Sequence, residues 1–161
     1  MSGDRIYPEE IAGPFDAPPV AFGDGEGRDV EIRAYPADRA QGIPPSREAD
    51  VRSWLETILG GGYNVVAWHG DSVAGHATLV ADGDAYELAI FVLQAYQGAG
   101  IGTQLMEALL GHGAEHGVEK VWLTVERWNR AAVGLYKKIG FETSDAESFE
   151  LEMAARLVAD G

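Results

Sequence analysis

The chain has 161 residues, no cysteine, and 12 basic against 26 acidic side chains, a formal net charge of −14. Such a length suits one domain with a sizeable core. The composition excludes disulfide scaffolds and cysteine-based zinc sites or nucleophiles, and the negative field disfavours nucleic acid and anionic lipid as partners.

No apolar run approaches the roughly 20 residues of a membrane span. The opening residues, Met1 to Arg5, lead into proline and acid rather than an apolar leader, so the expected location is cytoplasmic. Only Lys120, Lys137 and Lys138 are lysines, while acids spread along the whole chain. A salt-rich interior suits that balance, because at about 1 M salt the Debye length is roughly 3 Å and the surface repels itself little.

Residues 1–29 hold Pro8, Pro14, Pro18 and Pro19 with five glycines, a composition that works against regular structure and predicts an extended arm. Ile6, Tyr7, Ile11, Phe15, Val20 and Phe22 are too apolar for a solvated tail. The arm is expected to pack on the domain or on a second copy, which leaves a homodimer open. The domain proper is read as residues 30–161. Val30–Tyr35 alternates as a strand. Ser46–Leu59 reads as a capped helix with Val51, Trp54, Leu55 and Ile58 on its apolar stripe, closed by Gly60 to Gly62. Tyr63–Trp68 and Val73–Val80 form a hairpin about a turn at His69 to Ser72, and Tyr86–Leu93 is an apolar, central strand.

A helix then starts near Ile101, with Leu105, Met106, Leu109 and Leu110 on its buried side. Glu119–Glu126 is a strand. Asn129 caps a helix that runs to Lys138 and stops at Gly140. Phe141–Thr143 and Ser148–Met153 close as a hairpin. The order predicts a mixed α/β domain.

The chemistry concentrates between Glu87 and Phe141. A buried strand runs into Gln97-Gly98-Ala99-Gly100-Ile101-Gly102 and straight into a helix. Glycines let backbone N–H groups approach a ligand, and a helix N-terminus favours phosphate without any cationic side chain. A diphosphate is the expected guest. A dinucleotide site is the competing reading, because Gly98-x-Gly100 follows a strand and a later strand ends in Glu126. Against it, Thr103 stands where a third glycine belongs, and the motif comes late in a short chain.

The pattern Val92-x-x-x-Tyr96-Gln97-Gly98-Ala99-Gly100-Ile101-Gly102, followed by Asn129-x-x-Ala132-x-x-Leu135-Tyr136-x-x-x-Gly140-Phe141, resembles the GNAT superfamily of acyl-CoA-dependent N-acetyltransferases over about 55 residues. The resemblance implies a single α/β (α+β) GNAT-like domain. Its mixed, mostly antiparallel sheet would be flanked by helices and splayed between the strands ending near Val92 and Val125. It implies acetyl-CoA as co-substrate, with Gln97, Gly98, Ala99, Gly100, Ile101 and Gly102 as the pyrophosphate loop. Val92 would pair with the pantetheine arm and offer its N–H to the thioester oxygen. Asn129 would contact the cofactor arm, and Tyr136 would lie near the sulfur.

Acyl transfer to an amine sets three demands: a neutral amine, a donor for the developing oxyanion, and a hydrogen bond or proton for the departing thiolate. The resemblance places the base, or the water it holds, on the strand leading to Val92, where Glu87 is the carboxylate. The odd offset between Glu87 and Val92 turns them to opposite faces unless the strand bulges. Glu126 is the other acid near the splay, with Trp128 beside it as a wall of the acceptor site.

Other residues have plainer readings. His112 and His116 are four apart on a helix but lack a third ligand, so surface residues are expected and no metal. His69 and His76 are read as packing, and Trp54, Trp68 and Trp122 as core. Glu142, Asp145, Glu147, Glu150 and Glu152 are read as a solvated hairpin that favours a cationic acceptor. The expected activity is acetyl transfer from acetyl-CoA to a primary amine of a small molecule or peptide. A non-catalytic acyl-CoA-binding sensor or assembly module is the alternative.

Overall fold

The computed structural model describes residues 6–34, 62–146 and 149–157. The helix expected at Ser46–Leu59 lies outside these residues. Among the described residues nine strands make one sheet: β1 (Ile11–Ala12), β2 (Val20–Gly23), β3 (Asp29–Ala34), β4 (Gly62–His69), β5 (Ser72–Asp82), β6 (Ala85–Val92), β7 (Lys120–Glu126), β8 (Glu142–Ala146) and β9 (Glu150–Leu157). Helix α1 spans Ile101–Glu115 and α2 spans Arg130–Ile139. The spatial order is β1-β9-β7-β6-β5-β4-β3-β2, with β8 also on β9. All pairs are antiparallel except β1–β9 and β6–β7. This is the mixed, mostly antiparallel sheet that the resemblance implies.

The core lies between the sheet and α1. Leu105, Met106, Leu109 and Leu110 are fully buried against Val65, Ala77, Leu79, Leu88 and Val121. Each such leucine contributes about 1.5–3 kcal/mol by leaving water. At Gly75 of β5, a Cβ would stand 2.8 Å from the Phe91 carbonyl oxygen and 2.9 Å from Leu105 Cδ1. The missing side chain is therefore what lets α1 settle against the sheet opposite Val92, to which Gly75 is registered. A glycine inside an apolar strand signals this kind of close approach.

Two elements depart from the sequence reading. β9 continues to Leu157, past Met153, and Met153, Ala154 and Ala155 are buried in succession, as in a strand covered on both faces. The arm is not free of regular structure. Ile11–Ala12 adds a parallel strand to the end of β9, and Val20–Gly23 pairs antiparallel with β3 at the opposite edge. Local composition cannot show this, since both short strands are stabilised by partners distant in sequence. Trp122 also leaves the apolar core that was expected for it. It is half-buried, and its Nε1–H donates to Asp82 Oδ2 at 3.2 Å.

Candidate active site

Parallel β6 and β7 pair only at Tyr86–Val121 and Glu87–Trp122. Beyond that point Leu88–Val92 and Leu123–Glu126 have no ladder between them, so the sheet opens at the end where β6 runs out. The main-chain groups along the open edges must find other partners. Leu93 N–H turns toward β5 and donates to Ala74 O at 2.9 Å. Strand alternation then directs the N–H and C=O of Val92 to the other side, into the splay. The Val92 carbonyl accepts from Gln97 Nε2 at 3.0 Å. The Gln97 side chain thereby braces the loop on the strand end.

A single 3-10 turn, Gln94–Tyr96, joins that strand end to the glycine loop. Gly98 and Gly100 have φ of +77° and +87°, the left-handed region in which a side chain is strained. A Cβ on either would meet nothing within 4 Å, so space in front of the loop is open. Gly100 is the N-cap of α1 and supplies no side-chain cap. The first amides of α1 therefore lack intrahelical acceptors and present the positive end of a 15-residue helix to that open space. Ala99 and Ile101, the intervening loop residues, are buried and anchor it from behind.

Asn129 caps α2 as expected. Its Oδ1 accepts from Ala132 N–H at 3.2 Å, which leaves the carboxamide NH₂ for other contacts. Tyr136 is half-buried on α2, its ring 6.2 Å from that of Phe141. Its hydroxyl has no hydrogen-bond partner among the described residues. Burial holds the phenol above its ordinary pKa. Trp128, 65% exposed, stands where β7 turns toward α2.

Glu87 and Val92 face opposite ways. The β5–β6 register runs from Gly75–Val92 to Asp82–Ala85 without a shift, so no bulge intervenes. Val92 lies on the α1 side, close to Gly102. Glu87 lies on the other side at the root of the splay, five residues or about 17 Å along the strand from Val92. By strand alternation Glu126, four residues beyond the last paired residue Trp122, lies on the same face of the sheet as Glu87. Glu126 is also registered against Glu150 of β9.

The histidines resolve differently. His76 is 1% exposed, and its Nε2–H donates to Asn64 Oδ1 at 3.0 Å; burial pushes its pKa down to about 4. His69 Nδ1 lies 2.9 Å from the Tyr96 hydroxyl. His116 is exposed, as expected of a surface residue, whereas His112 is half-buried. Their rings are 4.4 Å apart and both lie against Tyr63, with burial and then the His116 charge lowering the His112 pKa. Among the described residues no group of three or more His, Asp or Glu side chains is arranged around a metal position. No helix among them is long and apolar enough to cross a membrane.

The family model for the acetyltransferase (GNAT) family matches residues 29–141, from β3 through the Phe141 that follows α2. The chain belongs to the GNAT family. An uncharacterized N-acetyltransferase of Mycobacterium tuberculosis is 32% identical over 89 residues, which cover 54% of this chain and 57% of that protein. A mycothiol acetyltransferase of Catenulispora acidiphila is 39% identical over 130 residues, 74% of this chain and 40% of that one. The chain thus spans little more than half the length of the first relative and less of the second. A GNAT acetyltransferase of Elizabethkingia anophelis, solved with acetyl-CoA bound, superposes with a TM-score of 0.60 at 18% identity, covering 80% of this chain and 98% of that one. At that identity the match establishes the GNAT fold.

The sequence did not single out Asp24, Arg28 or Gly75, although all three touch this region. Asp24-Gly25 is a turn signal, and Gly75 interrupts an apolar strand. Both are readable as local geometry, but neither says which distant segment it serves.

Proposed function

We propose that this protein transfers the acetyl group of acetyl-CoA to a primary amine by direct attack in a ternary complex. The observation that carries the reading is the open edge of β6 at Val92 running directly into uncapped helix amides behind Gly98 and Gly100. That arrangement offers an extended main-chain edge to a pantetheine amide arm and a cationless cradle to a diphosphate. The unfilled space where a Cβ would project from either glycine fits such a guest. Acetyl-CoA supplies an activated thioester when bound; the remaining work belongs to the chain.

The amides at Gly98 to Gly102 hold the diphosphate. Gln97 and the Val92 carbonyl fix the strand end, and the Val92 N–H serves as donor to the developing oxyanion. The free NH₂ of Asn129 reaches the cofactor arm. Tyr136 donates a hydrogen bond to the departing sulfur. Full proton transfer from a phenol near pKa 10 to a thiolate near 8.5 is uphill by about 2 kcal/mol, and the raised pKa of Tyr136 makes it more so. Tyr136 thus stabilises the thiolate, and solvent protonates it.

A lysine-like amine with pKa about 10.4 costs roughly 4.6 kcal/mol to deprotonate at pH 7. Glu126, the last residue of β7 beside the open part of the splay, is the better placed acceptor for that proton. Glu87, deeper in the splay, can act there only through a water chain. The net charge of −14 draws an amine that arrives as a cation.

The test is thiol release from acetyl-CoA across a panel of small-molecule and peptide amines, alongside CoA calorimetry. Turnover on at least one amine supports the proposal. CoA binding without turnover on any amine makes the protein a binding module instead.

A further inference from the structure

We infer that the turn at residues 24–28, at the end of the N-terminal arm, positions the glycine loop, with Arg28 as its positioning residue. The inference rests on the reading of that loop as the CoA site. The arm begins at one edge of the sheet, where β1 pairs with β9, and reaches the other edge, where β2 pairs with β3. Between them it crosses α1 at Gly111, where a Cβ would stand 2.7 Å from the Phe15 carbonyl oxygen and 2.8 Å from that of Asp16. The arm is therefore a strap held at three places before it enters the turn.

The turn is closed on itself. Asp24 Oδ1 accepts from the N–H groups of Glu26 and Arg28 at 2.9 and 2.8 Å, and Oδ2 accepts from Arg28 Nε at 2.7 Å. The Asp24 side chain is wholly buried. Burial opposes its ionisation, yet the Arg28 and Glu26 donors win and hold its pKa below the usual value. The fixed guanidinium then reaches outward. Arg28 Nη1 donates to Ala95 O at 3.3 Å, and the group lies 4.4 Å over the Tyr96 ring. His69 holds the far end of the same tyrosine. Gly25 N–H donates to Ala99 O at 2.8 Å, and a Cβ on Gly25 would lie only 3.3 Å from Ala99 Cα.

These contacts end on Ala95, Tyr96 and Ala99, on either side of Gln97 and Gly98 and directly before Gly100. Glycine-rich backbone loses the most conformational freedom when ordered. A strap that orders it beforehand lowers the entropy lost when a ligand binds, which appears as affinity.

Arg28→Ala is compared with Arg28→Lys and with Arg33→Ala, a control on the strand that follows the turn, where Arg33 pairs with Glu31. The readouts are CoA affinity by calorimetry, kcat and KM for acetyl-CoA, and amide hydrogen exchange of the ligand-free protein. Arg28→Ala should raise both Kd for CoA and KM for acetyl-CoA about tenfold, with kcat within twofold. Exchange should quicken at residues 95–102 while β4 and β5 stay protected. Arg28→Lys, which loses the fork to Asp24 but keeps a cation near Tyr96, should fall between. Arg33→Ala should match the parent protein. Unchanged Kd and local exchange in Arg28→Ala overturn the inference, as does faster exchange spread over β4 and β5. Failure of the unaltered protein to bind CoA overturns instead the reading on which the inference rests.

Discussion

Gly100→Ala isolates what the hand of the backbone contributes to the site. At φ +87° and ψ 0° an L-residue is strained by roughly 1–2 kcal/mol. No contact term adds to this, because a Cβ there meets nothing within 4 Å. The ligand-free loop can relieve the strain by relaxing locally, so global stability should change by no more than that amount. Binding must restore the left-handed conformation, so the same 1–2 kcal/mol should appear as a fall in CoA affinity of roughly 5- to 30-fold. Gly102→Ala is the matched comparison. Gly102 has no positive φ, and its Cβ would make ordinary contacts with Val92 and Ile90 at 3.8 and 3.9 Å. That variant should gain up to about 1 kcal/mol of stability from helix propensity. Calorimetric titration of CoA and urea unfolding read both quantities. Parental affinity in Gly100→Ala would refute the claim that a left-handed residue shapes this cradle. At the same position Gly100→Arg fills the open space as well and should abolish binding.

Tyr136→Phe should lower kcat at least tenfold while leaving CoA affinity within twofold; an equal change in both would place the tyrosine in packing instead. Glu126→Gln should lower neutral-pH turnover by about 10²-fold, and the deficit should shrink as pH approaches the pKa of the acceptor, where the amine is already neutral. Equal deficits at pH 7 and pH 10 would remove Glu126 as base. Gly111→Ala should destabilise by about 1–3 kcal/mol by driving a methyl into the Phe15–Asp16 backbone, measured as a shift of the urea midpoint without a change in slope. His76 binds its proton more weakly when folded, near pH 4, than unfolded, near 6.5. Its contribution is therefore complete above pH 6.5 and lost as pH falls toward 4, by about 3 kcal/mol. His76→Gln should flatten that part of the stability profile relative to the parent.

The region from Glu87 to Phe141 was legible because its signals are local. Gly98 and Gly100 announce left-handed turns, Asn129 announces a cap, and the Leu105 and Leu109 periodicity announces a buried helix face; the structure has all of them. The splay follows less directly. Nothing in Leu88–Val92 or Leu123–Glu126 states that two neighbouring strands stop pairing after Trp122, and only the resemblance of the two motifs led to it. The orientation of Glu87 was decided by the absence of a bulge, a property of register with β5 and not of the β6 sequence.

The arm shows why the rest stayed hidden. Phe15, Val20 and Phe22 pack on the core, as its apolar content suggests, while Ile6 and Ile11 stay exposed. Its two short strands, however, exist only because β9 and β3 offer edges far along the chain. Arg28 illustrates the same limit chemically. Read alone it is one of few cations in an acidic chain and invites assignment to a phosphate. In the fold two of its nitrogens are already committed, to Asp24 and to Ala95, and its plane lies on Tyr96. Its charge acts on the loop through geometry, which agrees with a cradle built from main-chain amides.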